Sequence, residues 1–84
     1  MTVADLDKDI CEFLIPRLHL FRNQNTVRFY RKSFKETQFI LQRMIEALEL
    51  HNRVDSLFLN KKDSEKIKKG LELFAKHFQE LWLP

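Results

Sequence analysis

Three observations predict an all-α fold, a compact antiparallel three-helix bundle. Apolar residues recur at three- and four-residue spacing along most of the 84 residues, the period of a helix with one face in a core. One glycine and two prolines leave too few turn signals for a sandwich or barrel, which needs one every ~8–12 residues. The stretches between the periodic segments are short, and short connections make consecutive helices antiparallel. The chain, residues 1–84, reads as a single domain. A domain this small buries only roughly 60–65% of the surface its unfolded chain exposes. Its eight Phe, one Trp and one Tyr are the main bulk available to the core.

Thr2 and Asp5 open the first helix as an acidic capping box, and Val3, Leu6, Ile10, Phe13 and then Leu20 or Phe21 follow helical spacing. Pro16 lacks an N–H and clashes with the carbonyl four residues back, which predicts a kink or break near residues 14–15. Asn23, Gln24, Asn25 and Thr26 form the first turn. The second helix is expected from about Asn25 to His51. Val27, Tyr30, Phe34, Thr37, Leu41, Met44 and Leu48 make a heptad seam along it, and Phe29, Ile40 and Ala47 a second apolar strip. A helix with two apolar faces lies between two neighbours, and any surplus would be covered in a homodimer. Residues 51–59 connect to the third helix. Leu57, Phe58 and Leu59 are too apolar for a free loop and predict a tucked turn or a short fourth helical segment. Asn60 with Asp63 caps the third helix, whose seam is Ile67, Leu71, Phe74, Phe78 and Leu81. Gly70 costs that helix about 1 kcal/mol relative to Ala, and a close approach by a neighbouring helix explains it.

Between Pro16 and Lys35 the chain has six positive side chains and no acid: Arg17, Arg22, Arg28, Arg31, Lys32 and Lys35. On a helix, Arg28, Arg31, Lys32 and Lys35 would form a cationic stripe. Its four like-charge pairs would cost about 0.2–0.5 kcal/mol each. The macrodipole also disfavours cations at a helix start, and a bound anion would relieve both costs. An up-down-up bundle gathers these residues at one pole with Glu80 and Trp82. At the other pole the acids Asp5, Asp7, Asp9, Glu12, Glu46 and Glu49 would be neutralised by the lysines opening the third helix. The ordinary alternative is a solvated charged face. Phe39 falls beside the stripe and is the candidate exposed aromatic, able to fill a partner's pocket or stack a base. Trp82 is either a core lid or a second hydrophobic anchor.

The sequence offers little to catalysis. His19, His51 and His77 are scattered, and no Asp, Glu or Cys stands at metal-ligand spacing. Cys11 is the only cysteine, which excludes an intrachain disulfide and fits a buried, inert thiol. No phosphate loop, nucleophile elbow or His-Glu zinc helix is present. The reading is therefore a non-catalytic interaction or regulatory protein without a cofactor or metal. It would bind a macromolecular partner, a protein before a nucleic acid, through Arg22, Arg28, Arg31, Lys32, Lys35 and Phe39. Sequence-tolerant nucleic-acid binding through the same pole is the second reading. The acidic N-terminus has no signal-peptide core and no apolar run reaches the ~18 residues of a membrane span, so a cytoplasmic location is expected. In size, basic pI and helical patterning the chain is similar to small bacteriocin immunity proteins. That resemblance implies a helper acting peripherally at an anionic membrane surface.

Overall fold

The computed structural model describes residues 6–24, 26–53 and 59–81. Three helices, α1 (Leu6–Arg22), α2 (Phe34–Arg53) and α3 (Lys61–His77), are followed by one 3-10 turn, Phe78–Glu80. They form the antiparallel bundle that the apolar period predicts. At one end, Asp7 of α1 meets His51 of α2 at 2.7 Å. At the other, Arg22 and Gln38 exchange hydrogen bonds: Arg22 Nε donates to the Gln38 carbonyl (3.3 Å) and Gln38 Nε2 to the Arg22 carbonyl (2.6 Å). Helix α2 is the central element. Thr37, Leu41, Met44, Ile45 and Ala47 on it are at most 1% exposed, which fits a helix with a neighbour on either side.

Two boundaries differ from expectation. Pro16 lies inside one continuous α1 rather than at a break. Pro16 and Glu12, whose carbonyl lacks the Pro16 donor, are both exposed, on a side where solvent is available to a freed carbonyl. Helix α2 begins nine residues later than predicted, at Phe34 instead of Asn25. Residues 26–33 form an extended connection in which Val27 and Phe29 point inward (7% and 1% exposed) while Arg28 and Tyr30 point out. Tyr30, placed in the seam by its spacing, is 74% exposed. The extension cannot be helical through Arg31, whose φ is 59°, in the left-handed region that bulky residues seldom occupy. A turn closes there through Lys32 N–H to the Phe29 carbonyl (2.9 Å).

The start of α2 is set by a reciprocal cap. Ser33 Oγ accepts from Glu36 N–H (3.1 Å) and Glu36 Oε1 accepts from Ser33 N–H (3.3 Å), which satisfies donors a helix start otherwise leaves orphaned. Thr37 then ties the connection down. Its hydroxyl accepts from Phe29 N–H (2.9 Å) and donates to the Ser33 carbonyl (2.9 Å).

Helix α3 starts as predicted, with Asn60 Oδ1 accepting from Asp63 N–H (2.8 Å). Gly70 is where α3 meets α2. A Cβ there would collide with Ala47 Cβ and stand 2.9 Å from the Arg43 carbonyl, so the glycine permits the close approach anticipated for it. The predicted seam of α3 is only partly covered: Ile67 is 7% exposed, but Leu71 is 45% and Phe78 61%. The face of α3 turned to α2 is instead Gly70 and His77, both buried, with Leu73 and Phe74 half-buried. The Thr2–Asp5 cap, the fourth segment expected around 57–59 (apart from Leu59) and Trp82 lie outside the described residues.

Candidate interaction surface on α2 and α3

The basic segment of the sequence does not form a helical stripe. Arg28, Arg31 and Lys32 precede α2 and only Lys35 is on it, so the repulsion expected of helical neighbours does not arise. The four residues also differ in surroundings. Arg28, Arg31 and Lys35 are exposed and Lys32 is partly buried. The Arg31 guanidinium lies 5.3 Å from the Tyr30 ring centroid. Arg22 is committed to the Gln38 carbonyl and joins helices rather than facing a partner.

The connection is pinned from below by the end of α3. His77, 4% exposed, stacks flat on Phe29 with ring centroids 4.3 Å apart and planes at 9°. Its Nδ1 is 2.9 Å from Glu80 Oε2, and Glu80 Oε1 accepts from Tyr30 N–H. The Tyr30 N–H first, and His77 second, hold the Glu80 carboxyl below the usual glutamate value. Glu80 therefore does reach the basic pole, and it binds backbone and His77 there rather than an arginine.

The more coherent cationic feature runs along the junction of α2 and α3. Two open hollows lie on it, and Phe39 borders both. One, of about 500 Å³, has Lys32, Lys35 and Lys76 around a floor of Ile40 and Leu73. The other carries Arg43, Lys62, Lys66 and Lys69 along the wall above Gly70. Glu36, Asp63 and Glu65 are the acids among these walls. Phe39 is 58% exposed, and the Arg43 guanidinium lies over the ring 4.6 Å from its centroid, a cation–π contact.

The lysines that open α3 do not form the expected ion pairs with the acids of that end: among the described residues none is within ion-pair distance of an acid. The described ion pairs are Arg43–Glu46 at 3.4 Å, His51–Asp7 and His77–Glu80. Asp7 is served by His51, whose hydrogen bond lowers its pKa, so the acidic end is relieved by a histidine of α2. Lys62, Lys66, Lys69 and Lys76 point to the α2 side because they share the helix face of Gly70 and Leu73. With Leu73 between Lys69 and Lys76, that stripe repeats every three or four residues and was present in the sequence. Joining it to Phe39 required knowing which face of α3 packs on α2.

The remaining nucleophile is withdrawn from solvent. Cys11 is 2% exposed, and burial, with Asp7 and Glu12 adding to it, pushes its thiol pKa up, away from the reactive thiolate. No helix among the described residues is long and apolar enough to cross a membrane. Comparison with protein-family models, curated proteins and solved structures finds no match, so the functional reading rests on this surface.

Proposed function

We propose that this chain is a non-catalytic interaction module that binds an acidic, amphipathic segment of a partner protein along the α2/α3 junction. The observation that carries the reading is Phe39, an exposed aromatic between two hollows whose walls are cationic and whose floor includes Ile40 and Leu73. Protein hot spots combine a buried aromatic anchor with a charged rim that steers the partner. A partner with acidic residues flanking an apolar stripe complements both parts of the surface. Arg28, Arg31 and Lys35 extend the positive field to the end of the bundle. They contribute more to association rate than to the anchored contact.

A nucleic-acid reading uses the same charge, but it calls for successive stacking platforms along the strand. Tyr30, the other exposed aromatic near this end, borders neither hollow. A peripheral role at an anionic membrane would need only the charge. Fluorescence anisotropy with three probes separates these readings: a helix-forming peptide of Glu and Leu in amphipathic order, a single-stranded oligonucleotide, and phosphatidylserine vesicles. The protein reading expects the peptide to bind best, and Phe39→Ala to weaken it by ~30-fold, the scale of a hot-spot residue. Tighter binding of the oligonucleotide or the vesicles, indifferent to Phe39→Ala and falling steeply with salt, would overturn it.

A further inference from the structure

Helix α1 carries two apolar stripes that are one residue out of step. Cys11, Leu14, Leu18 and Phe21 belong to the core packed against α2. Leu6, Ile10, Phe13 and Leu20, with Arg17 between the last two, repeat at 4-3-4-3 spacing about 100° further round the helix. These four apolar residues are 44%, 46%, 56% and 65% exposed. Helices α1 and α3 both pack on α2 and hardly on one another, so α3 leaves its own stripe open on the same side. Ile10 and Leu71 line one hollow between the two helices. Leu14 and Phe21 face Phe74 and Phe78 across another.

We infer that this α1/α3 face is the interface of a symmetric homodimer in which the two copies of α1 run antiparallel. Half-exposed side chains of this size leave on the order of 100 Å² each. Six of them make ~600 Å², the upper end of what a monomer ordinarily exposes in one patch. That approaches the ~800 Å² per partner of a standard interface once polar rim residues are added. A two-fold interface must be complementary to itself, and the charges of α1 are. Arg17 lies in the second half of the exposed stripe and the half-buried Asp9 flanks its first half, whereas Asp7 and Arg22 are turned to α2. Asp9 and Arg17 stand four residues either side of Phe13, so antiparallel pairing sets Asp9 against the second copy's Arg17, whereas parallel pairing sets like against like. Arg17 already lies 3.7 Å from the Phe13 ring centroid, so a cation–aromatic pair sits near the middle of the stripe. The dimer leaves the α2/α3 junction clear, so this inference is independent of the proposed partner.

Sedimentation velocity across a concentration series tests it with the full chain. The wild type is expected to sediment as a dimer at micromolar concentration. Phe13→Glu, at an exposed position, should sediment as a monomer with an unchanged helical circular dichroism spectrum. Asp9→Lys and Arg17→Glu should each weaken the dimer by ~10-fold or more, and the double reversal should restore it. A wild type that stays monomeric at ~100 μM overturns the inference. So does a dimer indifferent to Phe13→Glu. A double reversal no tighter than either single overturns the antiparallel arrangement.

Discussion

Helices α2 and α3 carry the same kind of apolar repeat, and they bury it to different degrees. In α2, Leu41, Met44 and Ile45 are 0–1% exposed, whereas Leu71 and Phe78 of α3 keep 45% and 61%. The difference is the number of neighbours. α2 is flanked on both sides, while α3 has one full neighbour and hardly touches α1. An apolar period states which residues share a face. How much of that face is covered depends on what lies opposite.

The largest test of this contrast is a matched pair of truncations. Leu41→Ala removes a side chain with 0% exposure and should cost about 2–5 kcal/mol. Leu71→Ala, at concentrations where the chain is monomeric, should stay within ~0.5 kcal/mol. Equal losses in urea titrations would show that α3 is as enclosed as α2. Gly70→Ala probes the point where the two helices touch. Helix propensity alone would make it stabilising by about 1 kcal/mol. The contacts with Ala47 Cβ and the Arg43 carbonyl should reverse that sign, to a loss of about 1–3 kcal/mol from overpacking. A gain in melting temperature would mean that the helices separate readily there.

Smaller effects test how the two helices hold the 26–33 connection. Thr37→Val on the α2 side keeps the shape but strips Phe29 N–H of its buried acceptor. It should cost about 1–3 kcal/mol, measured by denaturant unfolding. Arg31→Gly separates a left-handed turn from a helix. In a helix it would cost about 1 kcal/mol. At a φ of 59° it should be neutral or stabilising by up to ~1 kcal/mol, and a loss of that size in thermal melts would restore the helical reading. On the α3 side, the folded-state pKa of Glu80 is lowered, so its contribution is present above the ordinary carboxylate range. That contribution is lost as the pH falls through the lowered value. Urea midpoints should therefore decline below about pH 4, and Glu80→Gln should flatten that decline.

The sequence carried more than spacing alone drew from it. Ser33-Phe34-Lys35-Glu36 is a capping box in plain view, and Val27-Arg28-Phe29-Tyr30 alternates in and out with the period of an extended segment. Val27, Tyr30, Phe34 and Thr37 also fit a helical 3-4-3 spacing, which is what the expected start at Asn25 followed. Elsewhere the local signals sufficed. Asn60 before Asp63 located the start of α3, and Gly70 announced a close approach. The candidate surface was legible in pieces, as Phe39 on one helix and a lysine stripe on another. Nothing in either segment pairs them.

The sequence by itself determined the all-α class, the helical apolar faces, the cap of α3 and a surplus of positive charge. Each of these is written within a few turns of chain, where propensity, capping and period act. Only the tertiary structure decided that Arg22 holds Gln38, that the lysines of α3 stand beside Phe39, and that α1 and α3 leave an apolar face uncovered. These outcomes depend on distances between residues remote in sequence. Such distances are set by the joint packing of three helices around Leu41, Met44 and Ile45, not by any one helix.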